Sequence, residues 1–239
     1  MSESVHPRAD ELDGLSTLQL LELMNHEDAG AVAAIEPALP AIAQAVDQIA
    51  ARLKAGGRLH YFGAGSSGLI AALDAYECPF TFGIEPEMVQ AHPATRPADE
   101  DDQELGSSAA RAARLGASDV AVGISASGRT AYVLGALAHA REAGALTVAI
   151  TANPGAPATH EAGIAIVVET GAEVIAGSTR LKAGTVQKLV LNMITTAVFT
   201  RLGRTRRGRM TGVVAGNAKL RERAARIAAD LGVANEEQR

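Results

Sequence analysis

The spacing of apolar residues changes near residue 58. Before that point Leu15, Leu18, Leu21 and Met24 recur at helical intervals, and Ser16 stands where an N-cap belongs, predicting a helix over 15–29. The stretch 32–57 reads as a second, long amphipathic helix. Pro37 and Pro40 lie near its start, where proline is tolerated, and "AGG" supplies a glycine stop. From residue 58 short apolar runs alternate with helical patterns. Strands are predicted at 58–63, 119–125, 146–153 and 163–170, with a shorter one at 87–92. Helices are predicted at 67–76, 101–116, 128–144, 179–203 and 217–232. Strands separated by helices imply βαβ units, hence an α/β fold: a parallel sheet with helices on both faces and right-handed crossovers. The expected organisation is a flexible arm (1–14), N-terminal helices (15–57), one α/β domain (58–214), and a short C-terminal helix with its tail (215–239).

Composition narrows this picture. Only 3% of the 239 residues are aromatic and none is Trp, so the core must be built from Ala, Val, Leu and Ile, as suits a parallel sheet. A net charge of −5 argues against general nucleic-acid binding. Cys78 stands alone, which excludes an intramolecular disulfide and a cysteine-cluster metal site. The six histidines (6, 26, 60, 92, 139 and 160) lack metal-ligand spacing and read as surface or core residues. The first residues are polar and acidic, unlike a signal peptide, and no run approaches the ~18 apolar residues of a membrane span. A cytoplasmic protein without a membrane partner is expected. The arginine-rich 201–209 reads as an exposed loop between helices.

Three Ser/Thr/Gly-rich loops stand at helix starts: "GAGSSG" (63–68), "SASGRT" (125–130) and "TGAEVIAGSTRLKAGT" (170–185). Small residues let backbone N–H groups approach an anion, hydroxyls add donors, and a helix N-terminus adds partial positive charge. One such loop alone is weak evidence, because Ser and Gly also make plain turns. "GAGSSG" has the G-x-G-x-x-G spacing, but no strand precedes Glu85 and Glu87, where a ribose-binding acid would stand. Neither a G-x-x-x-x-G-K-[ST] loop nor a G-x-S-x-G elbow is present.

"GAGSSG" followed by "GISASGRT" resembles the sugar isomerase domain, a family of phosphosugar binders. Across roughly residues 15–230, "GRLHYFGAGSSGLIAALDAYECPFTFG", "EDDQELG", "DVAVGISASGRTAYVLGALAHAREAGALTVAITANPG", "GAEVIAGSTRLKAGTVQKLVLNMITT" and "NAKLRERAARI" resemble the N-acetylmuramic acid 6-phosphate etherase family. "AGSTRLKAGTVQKLVLNM" is the most specific of these pieces. The resemblance implies a sugar-isomerase-type sheet and a carbon–oxygen lyase that needs no metal or organic cofactor. The reaction removes the D-lactyl ether by elimination and then adds water, giving N-acetylglucosamine 6-phosphate and D-lactate.

By the same resemblance, Glu77 protonates the departing lactate oxygen and Glu100 removes the C2 proton. Ser66, Ser67, Ser125, Ser127, Gly128, Thr130, Ser178 and Lys182 are the matching candidates for holding the phosphosugar. A homodimer is expected on the same ground, with the N-terminal helices as its interface. Blander readings stand beside these. Without the resemblance Glu77 reads first as a solvent-facing residue at a helix end. Asp99, Asp101 and Glu104 compete with Glu100 in an acidic run. Arg129 reads as a surface residue and Lys182 as a snorkelling one. Glu173 either orients substrate or caps its loop. The chain departs from the family pattern at Leu69 (commonly Arg), at Phe80 (commonly Pro), in a shortened segment before Glu100, in "RMTGVVAGN" before the last helix, and in ending at Arg239 short of a further helical domain. A non-catalytic phosphosugar-binding regulator and an aldose–ketose isomerase are the alternatives.

Overall fold

A computed structural model describes residues 4–212 and 218–231. Two helices, α1 (Thr17–Ala33) and α2 (Leu39–Lys54), precede the sheet. Then follow β1 (Leu59–Ala64), α3 (Gly65–Phe82), β2 (Val89–Ala94), α4 (Gln103–Ala112), β3 (Val120–Ile124), α5 (Ala131–Glu142), β4 (Leu146–Thr151), α6 (Pro157–Glu161) and β5 (Ile164–Val167). The long α7 (Lys182–Arg201), a hairpin of β6 (Thr205–Arg206) and β7 (Arg209–Met210), and α8 (Ala218–Leu231) complete the order. All five long strands are parallel, in the order β2-β1-β3-β4-β5.

Every residue of β1, β3 and β4 is buried, as expected of a sheet covered on both faces. One face packs Leu59, Tyr61, Val122 and Val148 against α2, α3 and α7. The other packs Phe62, Ala121 and Ala149 against the alanine-rich α5 and its neighbours. Small residues set how near the helices come. A Cβ on Gly106 of α4 would stand 1.9 Å from the Tyr132 carbonyl, and one on Gly135 of α5 would stand 2.0 Å from that of Gln103.

Several boundaries move. Val32 and Ala33 belong to α1, whose start is fixed by a full Ser16–Gln19 capping box. The helix expected from 32 starts at Leu39, after a 3-10 turn at Glu36–Ala38; Pro37 and Pro40 each stand in the first turn of their element, where a missing N–H is tolerated. Within Thr17–Lys54 one window is long and apolar enough by composition to cross a membrane, contrary to the reading above. The chain is broken into two helices there, and α2 turns Ile42, Val46, Ile49 and Leu53 into the core.

The first fourteen residues are not a loose arm over their described part. Residues 9–14 form a 3-10 helix, and His6 is buried with its ring 3.3 Å from Glu27. α3 runs past its expected end at 76, through Pro79, to a left-handed Gly83. The Thr81 hydroxyl donates to the Glu77 carbonyl in that last turn. The arginine-rich 201–209 runs from the end of α7 at Arg201 into the β6–β7 hairpin rather than forming an open loop, and Arg209–Asp230 ties it to α8. The boundary expected near 214 and the polar tail "NEEQR" lie outside the described residues.

Candidate active site

The strand order places a topological switch point between β1 and β3: the chain leaves β1 toward β2 on one side and leaves β3 toward β4 on the other. In open α/β sheets the crevice at the strand C-termini of such a point takes the ligand. "GAGSSG" spans the end of β1 and the start of α3, and "SASGRT" follows β3, so the two segments stand side by side there. In the first loop the glycines have packing roles. A Cβ on Gly68 would lie 2.5 Å from the Gly63 carbonyl, and Gly65 opens α3 at φ +52°. Ser66 is exposed and Ser67 half-buried.

The second loop is closed by its own hydroxyls. Ser125 and Thr130 are buried with Oγ and Oγ1 2.8 Å apart, and Ser127 Oγ lies 3.3 Å from Ser125 Oγ. The Gly128 N–H donates to Ser125 Oγ at 3.0 Å and the Arg129 N–H to Ser127 Oγ at 3.2 Å. Gly128 has φ +67°, and a Cβ there would stand 2.5 Å from that of Ala156, so the turn requires glycine. Thr130 Oγ1 donates to Glu100 Oε1 at 3.1 Å, while the Tyr132 N–H holds the Glu100 carbonyl at 3.1 Å.

Neighbouring acids are occupied elsewhere. Asp99 pairs with Arg96 at 2.7 Å, Asp102 caps α4 through the Leu105 N–H, and Glu104 faces Arg111. Glu100 is the member of the acidic run whose carboxylate reaches the loop.

The third loop is anchored by carboxylates. Glu173 is fully buried, and its two oxygens accept the Lys182 and Ala183 N–H groups at 3.0 Å each, capping α7. The Lys182 ammonium is buried and meets Glu27 of α1 at 2.6 Å; that contact holds the Glu27 carboxyl below its usual range. A phosphate reaching Lys182 would therefore compete with Glu27. Ser178 is half-buried, and at the head of the loop the Thr170 hydroxyl is buried without a partner.

Glu77 stands apart from these groups. It lies twelve residues beyond Gly65, where α3 begins, which at 1.5 Å per residue is about 18 Å from the strand-end loops. Its side chain is 55% exposed and meets Lys188 Nζ of α7 at 3.4 Å; Lys188 also donates to Asn192 at 2.7 Å. One turn earlier, the buried Asp74 accepts from Tyr61 Oη (3.0 Å) and Thr195 Oγ1 (3.3 Å), and its burial raises its pKa. Leu69, Leu73, Tyr76 and Phe80 form an exposed apolar stripe along α3 beside Glu77. Lys188, Asp74 and Thr195 were not singled out by the sequence; only "RLKAGTVQK" marked the right helix, and nothing in its spacing shows that Lys188 meets a residue 111 positions away.

Among the described residues no cluster of three His, Cys, Asp or Glu side chains could hold a metal ion. The histidines are less scattered than their spacing implies. His60 on β1 and His92 on β2, two positions apart in the register, stack with Nδ1 and Nε2 3.0 Å apart. Burial pushes the His60 pKa down to about 4 and that of His92 down as well. A cleft of about 300 Å³ between the hairpin and α8 includes no residue of the three loops.

The chain is similar to known proteins along its whole length. The SIS domain family matches residues 32–152. N-acetylmuramic acid 6-phosphate etherase of Serratia proteamaculans is 48% identical over 100% of this chain and 83% of that protein. The protein of the same name from Thermobifida fusca is 48% identical over 99% of this chain and 80% of its own length. Among solved structures, the Vibrio vulnificus NanR protein complexed with ManNAc-6P shares the fold at 15% identity, with a TM-score of 0.54 over 88% of this chain and 70% of that one. Phosphoheptose isomerase GmhA from Neisseria gonorrhoeae does so at 19% identity and a TM-score of 0.56, over 76% and 99%.

Proposed function

The chain belongs to the N-acetylmuramic acid 6-phosphate etherases, built on a SIS domain, and from that premise we infer that it cleaves the D-lactyl ether of N-acetylmuramic acid 6-phosphate. The products are N-acetylglucosamine 6-phosphate and D-lactate. The observation that carries this reading is the hydrogen bond from Thr130 to Glu100: it ties a carboxylate to a hydroxyl-rich loop at the switch point of the sheet. The loops at that point hold the sugar phosphate through Ser66, Ser67, Ser125, Ser127, Gly128 and Thr130. Ser178 and Lys182 border the same substrate from the third loop.

With the sugar in its open-chain form, the aldehyde acidifies the C2 proton, and Glu100 takes it. The C3–oxygen bond breaks, Glu77 gives its proton to the departing lactate oxygen, and a C2–C3 double bond conjugated to the aldehyde remains. Water then adds at C3, with Glu77 taking a proton from it, while Glu100 returns the proton to C2. A positioned acid and base contribute typically about 10²–10⁴-fold each. The phosphate, away from the reacting carbons, supplies binding energy that orients them.

Glu77 and Glu100 do not meet within one chain, so we place the working site in a homodimer. There the exposed face of α3 (Leu69, Leu73, Tyr76 and Phe80) brings Glu77 of one copy toward the loops of the other. This moves the expected interface from the N-terminal helices to α3. A phosphorylated amino sugar as substrate is in keeping with work in the cytoplasm. The test is D-lactate release from N-acetylmuramic acid 6-phosphate by the wild type, Glu77→Gln, Glu100→Gln, and the two variants refolded together. Recovery of activity in the mixture supports shared sites. Absence of release by the wild type overturns the etherase reading.

A further inference from the structure

The hydroxyls of the second loop and the Glu100 carboxylate form one chain, and donor counting gives that chain a direction. An ionised carboxylate only accepts, so the single proton of Thr130 Oγ1 points at Glu100 Oε1 across 3.1 Å. The 2.8 Å contact between Ser125 and Thr130 must then use the proton of Ser125. The 3.3 Å contact between Ser127 and Ser125 in turn uses that of Ser127. The N–H groups of Gly128 and Arg129 donate into Ser125 and Ser127 from behind. All three hydroxyl protons thus run inward, toward Glu100.

A phosphate seated on this loop is also acceptor-only and draws on the same hydroxyl protons. Ser125 is 3% and Thr130 7% exposed, so a phosphate seated on the loop covers the little surface they offer and leaves no room for water to restore a lost donor. When the hydroxyls rotate to the phosphate, Glu100 loses the donor that stabilises its ionised form. A carboxylate so deprived holds a proton more tightly and is a stronger base. We propose that Thr130 is a positioning residue that couples phosphate binding to the basicity of Glu100, so that the base is released only when a phosphorylated ligand occupies the loop. This rests on the reading of the loop as the phosphate seat. It adds a specificity device, since a sugar lacking the phosphate would meet a base still held by Thr130.

Other charged groups near Glu100 belong to its own segment (the Asp99–Arg96 pair, Asp101, Asp102 and Glu104), to the loop (Arg129) and to α5 (Tyr132, whose pKa burial pushes up to about 12). None of them lies in the hydroxyl chain.

The test uses inorganic phosphate as probe and the full chain labelled with [δ-¹³C]glutamate, the Glu100 signal being assigned by its absence in Glu100→Gln. The carboxyl titration is followed by NMR with and without saturating phosphate in wild type, Thr130→Ser and Thr130→Val. Added negative charge alone raises the midpoint in all three, and the coupling adds a further rise only where a hydroxyl stands at 130. A larger rise in wild type and Thr130→Ser than in Thr130→Val is the expected result. Equal rises overturn the proposal, as does phosphate that perturbs no signal of the 125–130 loop. Thr130→Ser keeps the test valid if Thr130→Val fails to fold, since it should retain the wild-type rise, and its failure to do so also overturns the idea. D-lactate release is measured separately, so a failed etherase reading and a failed coupling are distinguishable.

Discussion

The two carboxylates assigned to the chemistry sit in opposite surroundings. Glu100 is fixed within its own chain, by Thr130 at its side chain and Tyr132 at its backbone. Glu77 is half out in solvent, with one contact of 3.4 Å and an apolar stripe beside it. A closed network can be preorganised by the fold of one copy. An exposed acid beside exposed Leu and Phe side chains makes sense once something covers it. On the function proposed above, the base half of the site belongs to the domain, while the acid half calls for a second copy to complete it.

The strongest way to break the comparison is Glu77→Gln. Lactate release should fall about 10²–10⁴-fold, while thermal unfolding stays within the range of ordinary surface substitutions, roughly 0.5 kcal/mol. A large drop in melting temperature would make Glu77 structural instead. Glu173→Ala comes next, because it orphans two buried N–H groups at the start of α7. A loss of about 3 kcal/mol is expected, read as a lower urea midpoint; an unchanged midpoint would show the cap to be dispensable.

Acid provides a third probe, remote from both carboxylates. His60 is neutral in the folded state, with its pKa lowered to about 4 by burial. The unfolded chain takes up that proton near pH 6.5. Stability is therefore complete above about 6.5 and declines as the pH falls toward 4, by about 2 kcal/mol at pH 5 and about 3 kcal/mol at pH 4. Urea unfolding of wild type and His60→Phe at pH 7 and pH 5 checks this, since the variant should lose less on acidification. The smallest effect is expected at Lys188→Met. An exposed pair contributes about 0.2–1 kcal/mol, so kcat should change only a few-fold, with KM unaffected. A loss as large as that of Glu77→Gln would mean that Lys188 holds the acid in place.

Much of the fold could be read from periodicity, because β1, β3, β4 and β5 are short apolar runs with Gly or Ser at or near an end, whereas β2 is half polar. The breaks in α1–α2 and the extension of α3 through Pro79 were less legible. Both turn on prolines, whose missing N–H weakens a helix locally while packing decides whether the helix continues, and local pattern does not encode packing. The second loop was visible as "SASGRT" and the nearby acids as a run. Which acid turns inward is decided by partners that spacing cannot show: Arg96 draws off Asp99, and the α4 N-terminus draws off Asp102. That Lys182 pairs with Glu27 could not be read at all, because the two are 155 positions apart.

Glu173 carries one more consequence. Its carboxylate sits on the first N–H groups of α7, where an incoming anion would otherwise be drawn. The longest helix of the molecule thus brings its own resident counter-ion, and its dipole is committed to folding. A phosphate is therefore drawn to the first two loops by their N–H and hydroxyl donors, and at the third by the Lys182 side chain rather than by the field of α7.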